Sequence, residues 1–149
     1  MNRKNIVIIL TACIVGVGII LYAKCTDGCA IAIQNIQEPE LEAQVFQQMS
    51  PRMFKSLTES RPGVLLDVRT LEEYNEGHLA GAAMIDFYAP DFQDSIASLD
   101  RKETYYIYGR SGNRSGKTLR IMRDLGFKDV YGLSGGINGW MGEGYSIEK

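Results

Sequence analysis

Apolar residues are spread unevenly along the chain. From Ile6 to Ala23 the sequence reads IVIILTACIVGVGIILYA, without one charged side chain. As a helix this run would extend roughly 27 Å, close to the ~30 Å hydrocarbon thickness of a bilayer. None of its faces is polar, which argues against a helix buried in a globular core. Arg3 and Lys4 precede the run and Lys24 closes it. Residues 1–24 are therefore expected to form an uncleaved signal anchor that spans a membrane as a helix through residues 6–23. With Arg3 and Lys4 on the short N-terminal side, that end stays cytoplasmic and the rest of the chain is expected outside, in a periplasmic location.

Two further features flank this segment. Leu10-Thr11-Ala12-Cys13 is similar to a bacterial lipoprotein signal, so lipidation at Cys13 is the lesser alternative to an anchor. Cys25 and Cys29 follow, with a turn-forming Asp-Gly between them. A local disulfide, a redox pair and a structural pair of thiols are all open, and an inert or structural pair is the expectation. Residues 25–44 lack a strong period and read as a linker.

From Val45 the pattern becomes dense and regular, and residues 45–149 read as one domain. Ser50-Pro51 has the form of an N-cap followed by Pro at the first helical position, predicting a helix to about Ser60. Arg61-Pro62-Gly63 is a turn. Val64 to Val68 is an apolar run ended by charge, as expected of a strand covered on both faces. A short helix is predicted over 71–75, a short strand over 82–87, and a helix over 91–99 with Phe92, Ile96 and Leu99 on one face. Tyr105 to Tyr108 is rich in aromatic and β-branched residues and predicts a strand. A Gly-rich loop follows, then a helix to Leu125, a strand over 129–133, and a helical piece near Trp140. Strands alternating with helices indicate an α/β fold, a parallel sheet with helices on both faces.

Composition narrows the function classes. Of 149 residues, 16 are basic and 18 acidic, so no bulk positive charge is available for nucleic acid. Without Arg3, Lys4 and Lys24 the remainder carries 13 basic and 18 acidic side chains, which gains nothing from anionic lipid head groups. Three Cys and one His at these spacings give no metal site, and no cofactor motif is present.

The densest chemistry lies in Gly109-Arg110-Ser111-Gly112-Asn113-Arg114-Ser115, between a strand and a helix. In an open α/β sheet, ligands collect at the carboxyl ends of strands, where helix N-termini point. Successive amides in such a loop can turn inward as an anion nest, aided by the helix dipole. Arg110 and Arg114 add forked donors for sulfate- or phosphate-like oxygens, Gly112 permits positive φ, and Ser115 is placed to cap the helix. Residues 104–123 hold five basic side chains and no acidic one. Asp67 and Arg69, at the end of an earlier strand, are expected to face the same crevice. The bland alternative is an Asp67 that caps a turn and an Arg69 that pairs with Glu73. A Walker A phosphate loop fails on spacing, because Gly116-Lys117-Thr118 falls inside the helix.

Taken together, Leu66-Asp67-Val68-Arg69, Glu73-Tyr74, Glu76-Gly77-His78-Leu79-Ala80-Gly81-Ala82, the loop, and Leu133-Ser134-Gly135-Gly136 with Trp140 resemble the rhodanese family of thiosulfate and persulfide sulfurtransferases. The resemblance covers about Val45 to Tyr145 and implies a five-stranded parallel sheet with flanking helices. It also implies that the first loop residue is a Cys carrying sulfur as a persulfide; here that residue is Gly109. Glycine has no nucleophile, so the chain is expected to bind a small sulfur or phosphate-like anion, or a protein partner, without sulfur transfer. The alternative is a thiosulfate sulfurtransferase whose catalytic Cys has been substituted at position 109. A phosphatase-like relative ranks last, since it needs the same Cys and a longer loop. In the Gly-His motif, His78 has a structural part.

Overall fold

A computed structural model describes residues 44–149 in full and, before them, the backbone of 11–14 and 19–22. The chain divides into two units, residues 1–40 and 41–149.

The N-terminal unit departs from the helix expected over 6–23. Thr11–Ile14 (β1) and Ile19–Tyr22 (β2) pair antiparallel, with Thr11 opposite Tyr22 and Ile14 opposite Ile19. No helix among the described residues is long and apolar enough to cross a membrane. A continuous apolar run has no period to separate helix from strand. Isoleucine, valine and threonine favour the extended form, and Gly16 and Gly18 stand between the two strands. The anchor's charged flanks, Cys25, Cys29 and linker residues 25–43 lie outside the described residues.

In the larger unit, five strands form one parallel sheet: Val45–Met49 (β3), Val64–Asp67 (β4), Ala83–Met84 (β5), Thr104–Tyr108 (β6) and Asp129–Leu133 (β7). Their order is β3-β7-β6-β4-β5, which puts β6 at the centre, five-residue β3 at one edge and two-residue β5 at the other. The five-stranded parallel sheet expected from the resemblance is thus present. The hydrophobic pattern yielded only four of its strands, since half-exposed β3 alternates too weakly to announce itself. The helices are Pro51–Ser60 (α1), Leu71–Glu76 (α2), Phe92–Ala97 (α3), Asn113–Asp124 (α4) and Gly136–Gly142 (α5). Helix α1 starts as its sequence predicts, the Ser50 hydroxyl accepting from the Met53 amide, with Pro51 in the first turn.

Each sheet face carries its own apolar cluster. On one, Phe54, Tyr106, Leu133, Ile137 and Trp140 pack beneath α1 and α5. On the other, Leu66, Ile96, Ile107, Met122, Phe127 and Val130 pack beneath α3 and α4. Alternation along β6 explains the division: Tyr106 and Tyr108 point to the first cluster, Tyr105 and Ile107 to the second. All five residues of β6 are buried, and the loop of interest leaves its carboxyl end.

Candidate functional site

The loop begins where β6 ends, at the middle of the sheet. Arg110, Ser111 and Gly112 carry the chain into α4, with Gly112 as N-cap at φ 92° and no side-chain cap. A side chain at Gly112 would also press on the neighbouring turn, since a Cβ there would lie 3.2 Å from the Gly135 amide nitrogen. The first turn of α5 grips the loop from behind. Ile137 donates its amide to the Gly109 carbonyl (2.9 Å) and Asn138 donates to that of Arg110 (3.1 Å). In a trans peptide the carbonyl and the following N–H point in opposite directions. The amides of Arg110 and Ser111 are therefore turned away from α5. From Arg110 to Ser115 no amide has an acceptor among the described residues. This is a helix N-terminus with its donors unpaired, the arrangement that favours anions.

Gly136 makes that grip possible. At φ +57°, a Cβ on it would lie 2.3 Å from the Gly109 carbonyl oxygen, so only glycine fits. Gly109 itself has no such requirement. Its φ lies outside the left-handed region, and the nearest atom to a Cβ there would be Arg114 Cβ at 3.3 Å, followed by the Ser115 amide nitrogen at 3.5 Å. A side chain at 109 would project toward the unpaired amides.

In front of the loop lies a cleft of about 390 Å³. Glu73 and Thr70 form one wall, Tyr88 another, and Arg110, Ser111, Asn113, Arg114 and Lys117 line the loop side. Arg114 grips Glu73 with both terminal nitrogens, at 2.6 and 2.8 Å. Arg110 is 69% exposed and reaches Glu73 only at 3.9 Å. The Arg114 guanidinium also sits 5.6 Å from the centroid of the Tyr88 ring.

A model of the rhodanese-like domain matches residues 50–143 of this chain. The chain belongs to the rhodanese-like domain family. Relatives include the thiosulfate sulfurtransferase GlpE of Pseudomonas paraeruginosa, 32% identical over 95 residues, which are 64% of this chain and 84% of that protein. The putative sulfur carrier protein YrkF of Bacillus subtilis is 31% identical over 97 residues, 64% of this chain and 51% of that protein. This chain thus spans about half the length of YrkF. Among solved structures, the rhodanese-like domain of Anabaena Alr3790 superposes with a TM-score of 0.59 at 31% identity, over 68% of this chain and 77% of that one. A rhodanese-like protein of Staphylococcus aureus gives a TM-score of 0.58 at 30% identity, covering 69% and 99% of the two chains.

Within this rhodanese-like domain, several expected site residues serve other purposes. Asp67 and Arg69 do not line the cleft. They are 0% and 5% exposed and bind each other, Arg69 Nη2 to Asp67 Oδ2 at 2.6 Å, while the same nitrogen donates to the Gly77 carbonyl at 2.7 Å. Arg69 therefore pairs with Asp67, two residues away, and Glu73 turns to Arg114. The buried phenol of Tyr108 lies beside this pair and accepts from the Leu79 amide; burial first, and then the Asp67 charge, push its pKa up. Ser115 does not cap α4. It is buried inside the first turn and its hydroxyl donates back to the Gly112 carbonyl at 3.1 Å. Arg110, Ser111, Asn113 and Arg114 line the cleft, while Gly109 and Gly112 do not; Gly112 packs against the turn at Gly135 instead. His78 stacks on Tyr74 at 3.9 Å and pairs by backbone with Glu148, far from any role as a base in the cleft.

Residue-by-residue reading missed Glu73, Thr70, Tyr88 and Lys117 as site residues. Only the first two left a signal: Thr70-x-x-Glu73 is a capping box, and both of its hydrogen bonds form. The Arg114 hydrogen bond, with the Thr70 amide, holds the Glu73 carboxyl well below its ordinary range, at about 2, although partial burial works the other way. An acid with a depressed folded pKa contributes stability that is complete above its unfolded pKa and lost as pH falls toward the folded one. Urea unfolding followed from pH 5 down to pH 2 should thus show a stability decline that the Glu73→Gln variant lacks in part. An identical slope in both proteins would contradict the assignment.

Proposed function

We propose that this rhodanese-like domain binds a small tetrahedral oxyanion of sulfur or phosphorus in loop 109–115, and that it does so without transferring sulfur. The observation that carries the reading is the run of amides from Arg110 to Ser115, all without an internal acceptor at the N-terminus of α4. Arg110 and Lys117 flank it as exposed cations, and Arg114 is held beside it by Glu73. Gly109 stands where the family resemblance expects the sulfur-carrying Cys, and a glycine cannot form a persulfide.

Titration of the full chain with sodium thiosulfate, sulfate or phosphate, followed on amide NMR signals, should give saturable shifts centred on residues 110–115. Shifts that never saturate, or that scatter evenly over the surface as salt is added, would rule the reading out.

A second reading is that the chain descends directly from a working thiosulfate sulfurtransferase and differs from it chiefly at position 109. The backbone at Gly109 favours it, because φ does not demand glycine there and a Cβ would ask only a few tenths of an ångström of give from Arg114. The relative named thiosulfate sulfurtransferase gives it a chemistry to restore.

The run from Ile6 to Ala23 supports a further part of the proposal, attachment of the domain to a membrane. Cell fractionation should leave the intact chain in the membrane pellet after a high-salt wash, and release by salt alone would overturn attachment by apolar burial.

A further inference from the structure

The cleft is larger than a bare oxyanion requires. At the ~30 Å³ that a water occupies in the liquid, a five-atom sulfate or phosphate fills roughly 150 Å³ at most. The cleft holds about 390 Å³, within the range of sites for organic ligands. Beyond the loop its lining includes one aromatic ring, that of Tyr88. Tyr88 is 69% exposed, whereas the sheet tyrosines of the domain are all buried. The ring is also held in place. Its own amide donates to the Asp86 carboxylate at 2.9 Å, Phe87 meets it edge-on at 5.4 Å, and the Arg114 guanidinium lies 5.6 Å from its centroid. A ring so positioned costs little further ordering when a second ring packs on it. The charge balance points to the same class of ligand. Arg110, Arg114 and Lys117 face a single carboxylate, Glu73, which leaves an excess of positive charge for a dianion.

We propose that the oxyanion received by the loop is carried on an aromatic group, as in an aryl phosphate, with Tyr88 as the contact for the ring. This rests on the reading of loop 109–115 as an oxyanion site and adds the organic part of the ligand. The phosphoryl oxygens meet the amides of Arg110 to Ser115, Arg110 and Lys117 neutralise the second charge, and the ring leaves the loop along Tyr88. No bond is made or broken.

Calorimetric titration of the full chain with inorganic phosphate, phenyl phosphate and cyclohexyl phosphate separates the contributions. Phenyl phosphate should bind roughly three- to ten-fold tighter than cyclohexyl phosphate, the margin that an aromatic pair adds over apolar contact. In Tyr88→Leu, which keeps an apolar side chain at the position, that ratio should fall to near one. Equal binding of the two esters, or a preference that survives in Tyr88→Leu, would overturn the assignment of Tyr88. If inorganic phosphate binds but neither ester gains over it, the aromatic ligand is wrong and the oxyanion site stands. If none of the three binds, both fall.

Discussion

Replacing Gly109 with Cys should convert the domain from no measurable sulfur transfer to steady formation of thiocyanate from thiosulfate and cyanide. The gain should be roughly 10²-fold or more over the unaltered chain, in keeping with what a missing nucleophile costs in covalent catalysis. In the expected sequence, the introduced thiolate attacks the outer sulfur of thiosulfate. A new S–S bond forms, and sulfite leaves with the electron pair of the bond that breaks. Cyanide then takes the terminal sulfur as thiocyanate and returns the thiolate. Three observations support this outcome. The backbone at 109 has no left-handed φ and would hold a Cβ with a small shift of Arg114, 3.3 Å away; the unpaired amides are in place, and Arg110 stands next in the chain. That setting should also hold the pKa of the introduced thiol below that of a free cysteine, measurable from thiolate absorbance against pH. The unaltered chain carries the same Cys13, Cys25 and Cys29 and so serves as the control for background thiols. If Gly109→Cys folds, shows a depressed thiol pKa and still gives no thiocyanate, the loop has lost more than its nucleophile. The direct-descendant reading would then fail.

Removing the carboxylate of Asp67 should be the most damaging single change to stability. Asp67→Ala leaves the Arg69 guanidinium buried with only the Gly77 carbonyl as a hydrogen-bond partner. An uncompensated buried charge of this kind costs about 3–5 kcal/mol, a large part of the 5–15 kcal/mol that holds a typical domain together. The melting temperature should drop by on the order of 15 °C or more, and the cleft should loosen with it. Gly77 ends α2, and α2 carries the Glu73 that holds Arg114. Removing both partners, as Asp67→Leu with Arg69→Met, should recover much of the loss, since no charge is then stranded. Thermal and urea unfolding of the three proteins decides the matter. A single-variant loss under ~1 kcal/mol would mean that solvent reaches Arg69 far more easily than its burial indicates.

Much of the domain was legible in local pattern. Apolar runs at 64–68, 105–108 and 129–133 correspond to β4, β6 and β7, because strands covered on both faces need continuous apolar sequence. Ser50-Pro51 marked the start of α1, and Gly112 marked a turn that takes positive φ. The edge strands were harder to read. β3 has Gln47 and Gln48 in solvent and carries too little apolar signal to stand out. The run at 82–87 does contain β5, but pairing with β4 keeps only Ala83 and Met84 in the sheet. The N-terminal run shows the same limit in reverse, since helix and strand both satisfy eighteen residues without a charge.

The order of residues along the chain was sufficient to say that a basic, glycine-bearing loop sits between the central strand and a helix, and that no thiol stands at its head. Local chemistry sets both facts. Which charges remain available in that loop was settled only by folding. Arg114 and Glu73 are 41 positions apart, yet they meet at hydrogen-bond distance once α2 and α4 pack on the sheet. Arg69 chooses Asp67 because both are shut away from water, where a charge must take the partner it can reach. Ion pairing depends on distance and burial in three dimensions, and neither is written in the spacing of Arg, Asp and Glu along a line.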